Sequence, residues 1–160
     1  MIEGLKLKGK RIDLGGGEYP KKGFINIDNS TLNPINGHSY TPDINHDLNE
    51  GIPFPDSFID EVFTAHFIEH VKDLKFLLKE IARVCKTGAK ITILLPLHDL
   101  DNKTHLTDFG FDWFDDNPTK GLKILKKEKR NKDLVDHLYG DRTIEEMEIR
   151  FEVVKWVFVT

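Results

Sequence analysis

The sequence lacks the residues on which several classes of protein depend. Its 160 residues include a single cysteine, Cys85, which excludes an internal disulfide framework and a cysteine-rich zinc site. No apolar run reaches the length of a membrane span, and the N-terminal MIEGLKLKGK has no apolar signal-peptide core. The formal net charge of -4 gives no overall positive field for nucleic acid or an anionic membrane. These absences predict a soluble cytoplasmic protein with no membrane partner, and they argue against a nucleic-acid partner.

The hydrophobic content of 39% is enough for one core, and the length is too short for two independent ones, so we expect a single domain over residues 1–160. Short apolar and β-branched runs between turn residues predict the strands. They are RIDL from Arg11 to Leu14, FINID from Phe24 to Asp28, a short strand ending near Asp47, FIDEVFTA ending near Ala65, AKITILLP ending at Pro96, and the alternating runs GLKILKKEK and EIRFEVVKWVFV.

One segment has clear helical periodicity. Its apolar residues recur at three- and four-residue spacing from Val71 to Cys85, with charged residues between them. The spacing predicts an amphipathic helix that ends at Lys86-Thr87-Gly88 and buries Cys85 as a core thiol rather than a nucleophile. An irregular or partly helical insert is expected around DLVDHLYGDRTIEEM, between the last two strands.

Strand, helix and strand with short joints imply right-handed parallel crossovers, so the pattern predicts an α/β sheet that is parallel in its first five strands and ends in an antiparallel pair. Ligands of such sheets bind outside the carboxyl ends of the strands. The residues at these ends are Asp13 with Gly15, Gly16 and Gly17, then Asp28 and Asn29, Asp47, Ala65 and His66, and His98 and Asp99.

These residue types suit an adenosine ligand. Glycine lets the backbone approach a ligand closely, and one carboxylate can accept hydrogen bonds from both hydroxyls of a ribose. A second carboxylate or a loop carbonyl can accept from an exocyclic amine. The strict dinucleotide pattern G-x-G-x-x-G fails, however, because its last glycine position falls on Pro20.

In this order, RIDLGGG, GFINID, DINHDLNEGIPFPDSFIDEVFTAHFIEHV and LLKEIARVCKTGAKITILLP resemble class I S-adenosylmethionine-dependent methyltransferases over residues 10 to 97. The resemblance implies a Rossmann-like sheet, S-adenosylmethionine as cofactor and methyl transfer as the reaction. It also assigns roles to the strand ends. The methionine part would contact Asp13, Leu14 and Gly15 to Gly17, the ribose Asp28 and Asn29, the adenine Asp47 and Leu48, and the sulfonium end Ala65 and His66.

The chain departs from the usual pattern between its first two strands. Glu18 to Gly23, with Pro20 among them, cannot supply a helix of ordinary length, so the first helix is expected to be missing or very short. One face of the sheet would then lack cover, which is costly where that face is apolar. Either the loop from Asn29 to Pro42 or a second copy would cover it, which makes a homo-oligomer a further expectation.

Two other functions stay open. The run from His66 to His70 spells H-x-x-E-H, which on one helix would make a zinc hydrolase of His66, Glu69 and His70. The signature needs all five residues on that helix, whereas His66 follows an apparent strand. The shortened architecture also suits a protein that binds S-adenosylmethionine without transferring its methyl group.

Methyl transfer requires a general base only when the acceptor must lose a proton. The candidates are His66, His98, Asp99 and His105, and His98 is favoured because the chain should open toward the substrate after Pro96. The acidic balance and the single domain favour a small-molecule or sugar-type acceptor. An aromatic cluster, Phe109, Phe111, Trp113 and Phe114, is interpreted as core or as an acceptor-binding lid.

Overall fold

The computed structural model describes residues 10–33, 36–98, 106–134 and 141–155. These residues form a seven-stranded sheet in the order β3-β2-β1-β4-β5-β7-β6. The strands are β1 Arg11–Leu14, β2 Ile25–Asp28, β3 Ile44–Asn45, β4 Ile59–Ala65, β5 Cys85–Pro96, β6 Leu122–Leu134 and β7 Arg142–Val153. The helices are α1 Leu74–Val84, between β4 and β5, and α2 Trp113–Asp116, before β6. No described helix is long and apolar enough to cross a membrane.

The pairing confirms the predicted Rossmann-like sheet. Strand β1 pairs in parallel with β2 and β4, β2 with β3, and β4 with β5. Strand β7 is antiparallel to both β5 and β6. The chain order thus reverses between β1 and β4, so the carboxyl ends of β1, β2 and β4 meet at one edge of the sheet.

The predicted helix is shorter than its periodicity suggested. It begins at Leu74, where the Asp73 side chain accepts a hydrogen bond from the Phe76 backbone N–H and caps the first turn. It ends at Val84, because Cys85 already starts β5 opposite Ile59. The predicted C-terminal stop at residues 86–88 is therefore wrong, since these residues lie in a strand.

The thiol of Cys85 is fully buried at the start of β5. Burial raises its pKa to about 12, so the thiolate needed for nucleophilic attack does not form at neutral pH. The prediction of a core thiol is confirmed, although its position inside the helix is wrong. The irregular insert is also misplaced in part, because β6 runs to Leu134 and β7 begins at Arg142.

One face of the sheet is covered and apolar. Register rows such as Ile12, Val62, Ile91 and Phe151 point to the side on which the apolar stripe of α1 is buried. The aromatic cluster extends this layer, with the Phe114 ring 5.4 Å from Phe151. Phe109 and Phe114 are almost fully buried, which confirms the core interpretation for these two, whereas Phe111 and Trp113 are partly buried against the core.

The opposite face carries charge where the expectation was apolar surface. We call the following residues the charged face: Arg11, Glu61, Lys90, Glu152 and Lys123 in one row, and Arg150, Lys126, Glu148 and Glu128 beyond it. Ion pairs connect several of them, including Lys90 with Glu152 at 3.6 Å and Arg150 with Glu148 at 2.9 Å. The physical reason given for self-association is thus wrong, and the homo-oligomer itself stays a prediction.

The segment between β1 and β2 contains turns and no helix, as Pro20 predicted. It nevertheless covers one apolar residue of the charged face, Phe63. The Lys21 Nζ lies 4.6 Å from the centre of that ring, and the Phe24 ring packs edge-on against it at 6.3 Å. A ten-residue loop between β1 and β2 therefore replaces part of the cover that a helix would give. The charged residues of this face do not need such cover.

Candidate cofactor and methyl-transfer site

The loop after β1 is held by its backbone amides. The Gly15 N–H donates to the carbonyl of Ile27 at 2.8 Å. The Gly16 N–H donates to Asn26 Oδ1 at 3.0 Å, and the Gly17 N–H to Asp28 Oδ2 at 2.9 Å. Three consecutive amides are thus fixed by β2, which sets the path of the loop at the edge of the sheet.

Glycine is required at the first of these positions for two reasons. Gly15 has a φ of 66°, a left-handed conformation that side chains disfavour. A Cβ added there would also lie 2.2 Å from the Phe67 ring. Gly17 has a similar φ of 64°, but nothing lies within 4 Å of its added Cβ. The loop is therefore packed at Gly15 and open at Gly17.

Asp13 is a buried carboxylate whose two oxygens differ. Its Oδ2 accepts a hydrogen bond from the Lys21 backbone N–H at 2.7 Å, whereas its Oδ1 is buried without a hydrogen-bond partner in the described part of the chain. Burial raises the pKa of Asp13 to about 6, against the lowering effect of the Lys21 amide. An unmatched acceptor of this kind is the place for a donor or a cation from a ligand.

Asp28 ends β2 and holds the backbone around it. Its Oδ2 accepts from the Gly17 N–H and from the Tyr40 hydroxyl at 3.4 Å, and its Oδ1 accepts from the Ser30 N–H at 3.0 Å. Each carboxylate oxygen has two lone pairs, so Oδ1 retains acceptor capacity toward a ligand. Asn29 follows on the exposed surface.

Three further predicted cofactor residues, Asp47, Leu48 and Leu14, lie at or just after the ends of β3 and β1. Asp47 caps the 3-10 turn Leu48–Glu50, its Oδ1 accepting from the Asn49 N–H at 2.9 Å. Leu48 and Leu14 have buried side chains in the core. The Leu14 carbonyl accepts from the Thr64 hydroxyl at 2.8 Å, which fixes β1 against β4. Leu14 therefore positions the glycine loop and offers no side chain to a ligand.

His66 follows Ala65 at the end of β4 with a φ of 53°, a strained value for a residue with a side chain. Its N–H donates to the Leu94 carbonyl at 2.9 Å, and its ring Nε2 is hydrogen-bonded to Glu146 of β7. Burial lowers the pKa of His66, although the Glu146 carboxylate acts in the opposite direction. A neutral imidazole paired with a carboxylate can accept a proton.

His98, the favoured base, lies in a more open position. Its side chain is 68% exposed, and Nδ1 is 3.4 Å from Asp108, itself partly exposed. The other two candidates, Asp99 and His105, lie outside the described residues. Of the described candidates, His66 alone combines a half-buried ring with a fully buried carboxylate partner.

The zinc-hydrolase signature does not have the geometry it requires. His66 follows the last residue of β4, and Ile68–His70 form a single 3-10 turn, so His66, Glu69 and His70 do not share a helix. The described ranges hold no group of three histidine, cysteine, aspartate or glutamate residues placed to bind a metal ion. The H-x-x-E-H match is therefore a coincidence of sequence.

Sequence reasoning missed several residues of the site. Asn26 is a buried amide within β2 that bonds both the Gly16 N–H and the Gly17 carbonyl. A polar residue in the middle of the run INID is a signal that could have found it. Glu146 and Tyr40 carried no such signal, because one lies in an alternating charged strand and the other in a loop rich in polar residues.

Comparisons with known proteins agree with this geometry. The sequence profile of the methyltransferase domain family matches residues 25–93, which include Asp28, Asp47 and His66. Ajmaline N-methyltransferase of Rauvolfia serpentina is 40% identical over 47 residues, 29% of this chain and 16% of that enzyme's length. The chain therefore corresponds to a small part of this relative.

Solved structures resemble nearly the whole chain. A SAM-dependent methyltransferase of Methanosarcina mazei has a TM-score of 0.61 at 16% identity, covering 91% of this chain and 92% of that one. The fold is that of an S-adenosylmethionine-dependent methyltransferase. The 16S rRNA (adenine(1408)-N(1))-methyltransferase of Catenulisporales acidiphilia, at 0.62 and 13% identity, covers 96% and 93%. The YcgJ protein of Bacillus subtilis, at 0.63 and 12%, covers 96% and 98%. These matches confirm the Rossmann-like fold that was predicted from the sequence.

The residues present fit S-adenosylmethionine. Asp13 Oδ1 is a buried acceptor that lacks a donor in the described structure, beside a loop that is open at Gly17. A cationic ligand at this point would relieve the cost of burying the carboxylate. The amino acid part of S-adenosylmethionine carries such a cation, its α-ammonium group.

We predict that Gly15→Ala destabilises the protein by more than Gly17→Ala. Both changes place a side chain at a left-handed φ, which costs about 1–2 kcal/mol, but only the first adds a collision with Phe67. Chemical denaturation of both variants measures the difference. Equal losses would show that Phe67 can move aside freely.

We predict that Asp13→Asn stabilises the fold while it weakens cofactor binding. Because the folded pKa is raised from 3.8 to about 6, the ionised carboxylate opposes folding, and the cost is full above pH 6 and absent below pH 3.8. The gain should reach about 3 kcal/mol at pH 7.5 and vanish as the pH falls through this window. Thermal unfolding against pH measures it, with the exposed Asp60→Asn as matched control.

Proposed function

We propose that the chain transfers a methyl group from S-adenosylmethionine to a small-molecule or sugar-type acceptor. The observation that carries the proposal is the convergence of Asp13, Asp28 and Asp47 at the carboxyl ends of three neighbouring parallel strands. The orphaned Asp13 oxygen adds a specific place for a cationic ligand. The match of residues 25–93 to the methyltransferase domain family supports the same reading.

Each carboxylate has a distinct role in this proposal. Asp13 and the glycine loop from Gly15 to Gly17 contact the methionine part, and Asp28 accepts from the ribose hydroxyls. Asp47, at the start of the 3-10 turn, accepts from the exocyclic amine of adenine. Asn29 and Leu48, which follow Asp28 and Asp47 in the chain, are the further residues proposed to contact the nucleoside. Ala65 and His66 lie beside the sulfonium end, because β4 is the neighbour of β1 on the side away from β2.

S-adenosylmethionine supplies, when bound, a methyl group already activated by a sulfonium. The protein therefore contributes mainly position. The amides that β2 fixes hold one wall of the site, and the bond between Thr64 and Leu14 fixes β4 against β1. The ends of β1 and β4 are thereby kept in register for an acceptor that approaches from the His66 side.

The acceptor is proposed from charge and size. Anions interrupt the cations along the charged face, which leaves no continuous basic track there for a nucleic-acid backbone. The similar proteins themselves differ, since one is an ajmaline N-methyltransferase and another is a 16S rRNA (adenine(1408)-N(1))-methyltransferase. A small-molecule acceptor is therefore favoured by this chain's own residues. Binding of S-adenosylmethionine without transfer is the second candidate, favoured by the missing helix between β1 and β2.

We predict that Asp28→Asn weakens binding of S-adenosylmethionine and S-adenosylhomocysteine by about 10- to 100-fold. The amide keeps the shape of the side chain and loses the charge that strengthens the ribose hydrogen bonds. Isothermal titration calorimetry measures both ligands, and Asp60→Asn removes the same charge from an exposed position of β4.

Wild-type protein that binds neither nucleoside would overturn the methyltransferase proposal. Binding with no turnover across an acceptor panel would instead favour the second candidate. Equal affinities in the Asp28→Asn and Asp60→Asn variants would remove Asp28 from the site and leave the rest of the proposal standing.

A further inference from the structure

The carboxylate of Glu146 is the most unusual charge in the described structure. It is completely buried, yet both of its oxygens contact cationic or ionisable groups. Its Oε1 accepts from Arg130, at 2.9 Å from Nε and 2.8 Å from a terminal nitrogen. Its Oε2 contacts the His66 ring and lies 3.4 Å from Lys132. A buried charge is retained only where such partners compensate for lost hydration.

Given the proposed methyl transfer, we propose that His66 and Glu146 form a proton-accepting pair and that the acceptor is a hydroxyl compound. Glu146 is the positioning residue, because it contacts His66 and not the ligand site itself. His66 is the group that would contact the acceptor. Neither strand β7 nor the β6–β7 hairpin contributed a residue to the site deduced from sequence.

The hydrogen bond fixes which nitrogen of His66 is basic. Since Glu146 is an acceptor, the Nε2 of a neutral ring must carry the proton that is donated to it. The lone pair then lies on Nδ1, which makes no hydrogen bond to the described part of the chain. The ring is 29% exposed, so this lone pair can be reached from outside.

The surrounding charges keep the pair ready to accept a proton. Burial alone would raise the pKa of Glu146, but hydrogen bonds from His66 and Arg130 outweigh it and hold that pKa low. The charged groups near His66 are Glu146, Lys132 and His70, with Arg130 on the far side of the carboxylate. Burial holds the pKa of His66 below its usual value, so the ring is neutral at neutral pH.

A general base of this kind assists attack by a hydroxyl acceptor far more than attack by a neutral amine. A neutral amine attacks with its own lone pair, whereas a hydroxyl is a weak nucleophile until its proton leaves. In the step, the acceptor's O–H bond breaks and its proton passes to Nδ1. The oxygen pair forms a bond to the methyl carbon while the methyl–sulfur bond breaks and its electron pair stays on sulfur. The His66 proton then passes to water.

The sharpest test uses full-length protein and probes that carry both groups. Tyramine, serotonin and glucosamine each present a hydroxyl and an amine, so the position of a labelled methyl group reports the preferred atom. Methylation on oxygen is expected. His66→Asn should reduce kcat by about 10²-fold or more. Glu146→Gln should reduce kcat by less and shift the acid limb of the kcat profile to lower pH, because the imidazolium loses its anion.

Glu145→Gln is the matched control, because it removes the same charge from the same strand. The Glu145 side chain is exposed, with its Oε2 3.6 Å from Lys129 Nζ. Its kcat profile should be unchanged. Calorimetry with S-adenosylhomocysteine should give the same affinity in wild type, Glu146→Gln and Glu145→Gln. Failure of the wild type to bind, or binding without any methylated product, would count against the proposed function, whereas methylation of the probes on nitrogen alone would overturn this inference and leave the proposed function standing.

A second readout requires no acceptor. In ¹⁵N-labelled protein with S-adenosylhomocysteine bound, the ring shifts of His66, assigned through the His66→Asn variant, should show the neutral form protonated on Nε2 at pH 8. In Glu146→Gln the pKa of His66 should fall, and in Glu145→Gln it should stay. A ring protonated on Nδ1, or methyl groups found only on nitrogen, would overturn the proposal.

Discussion

Three side chains of β1 and β2 hold the loop on which the whole site depends. Asn26 and Asp28 accept from successive amides of the glycine loop, and Asp13 accepts from the amide of Lys21 farther along. The loop between these strands contains turns and no helix, so its amides depend on partners outside the loop. Side chains of the sheet therefore accept the hydrogen bonds of the loop. The two carboxylates among them, Asp13 and Asp28, also lie at the edge of the sheet where a nucleoside would bind.

This arrangement has an energetic consequence at Asp13. A carboxylate that is buried with one oxygen unpaired among the described residues opposes folding at neutral pH, and a ligand that supplies a donor would offset that cost. Binding sites commonly trade stability for function in this way. In this protein the cost arises at one oxygen of Asp13, which has no donor among the described residues. A structural ion pair such as Arg83 with Glu80 differs, because there the protein itself supplies the donor.

The sequence predicted the sheet because its strands are short, apolar and bounded by glycine and proline. It also placed Asp13, Asp28, Asp47 and His66 correctly at the strand ends, since parallel topology alone brings those ends together. It could not predict the charged face, because alternation in β7 reads the same whether the polar side faces water or a helix. Nor could it find Glu146, because the contact of Glu146 with His66 depends on the pairing of β7 with β5. In that pairing Glu146 lies opposite Pro96, which is 50 residues earlier in the chain.

The charged face and the buried Glu146 have one origin. Residues 146, 148, 150 and 152 alternate along the same side of β7, and all four are charged. Where the face is open, these charges meet water and each other. At the carboxyl ends of β4 and β5, His66, Arg130 and Lys132 close over the first of them. The alternation that places charge on this side of β7 therefore also provides, at the end of the strand, the buried carboxylate that is hydrogen-bonded to His66.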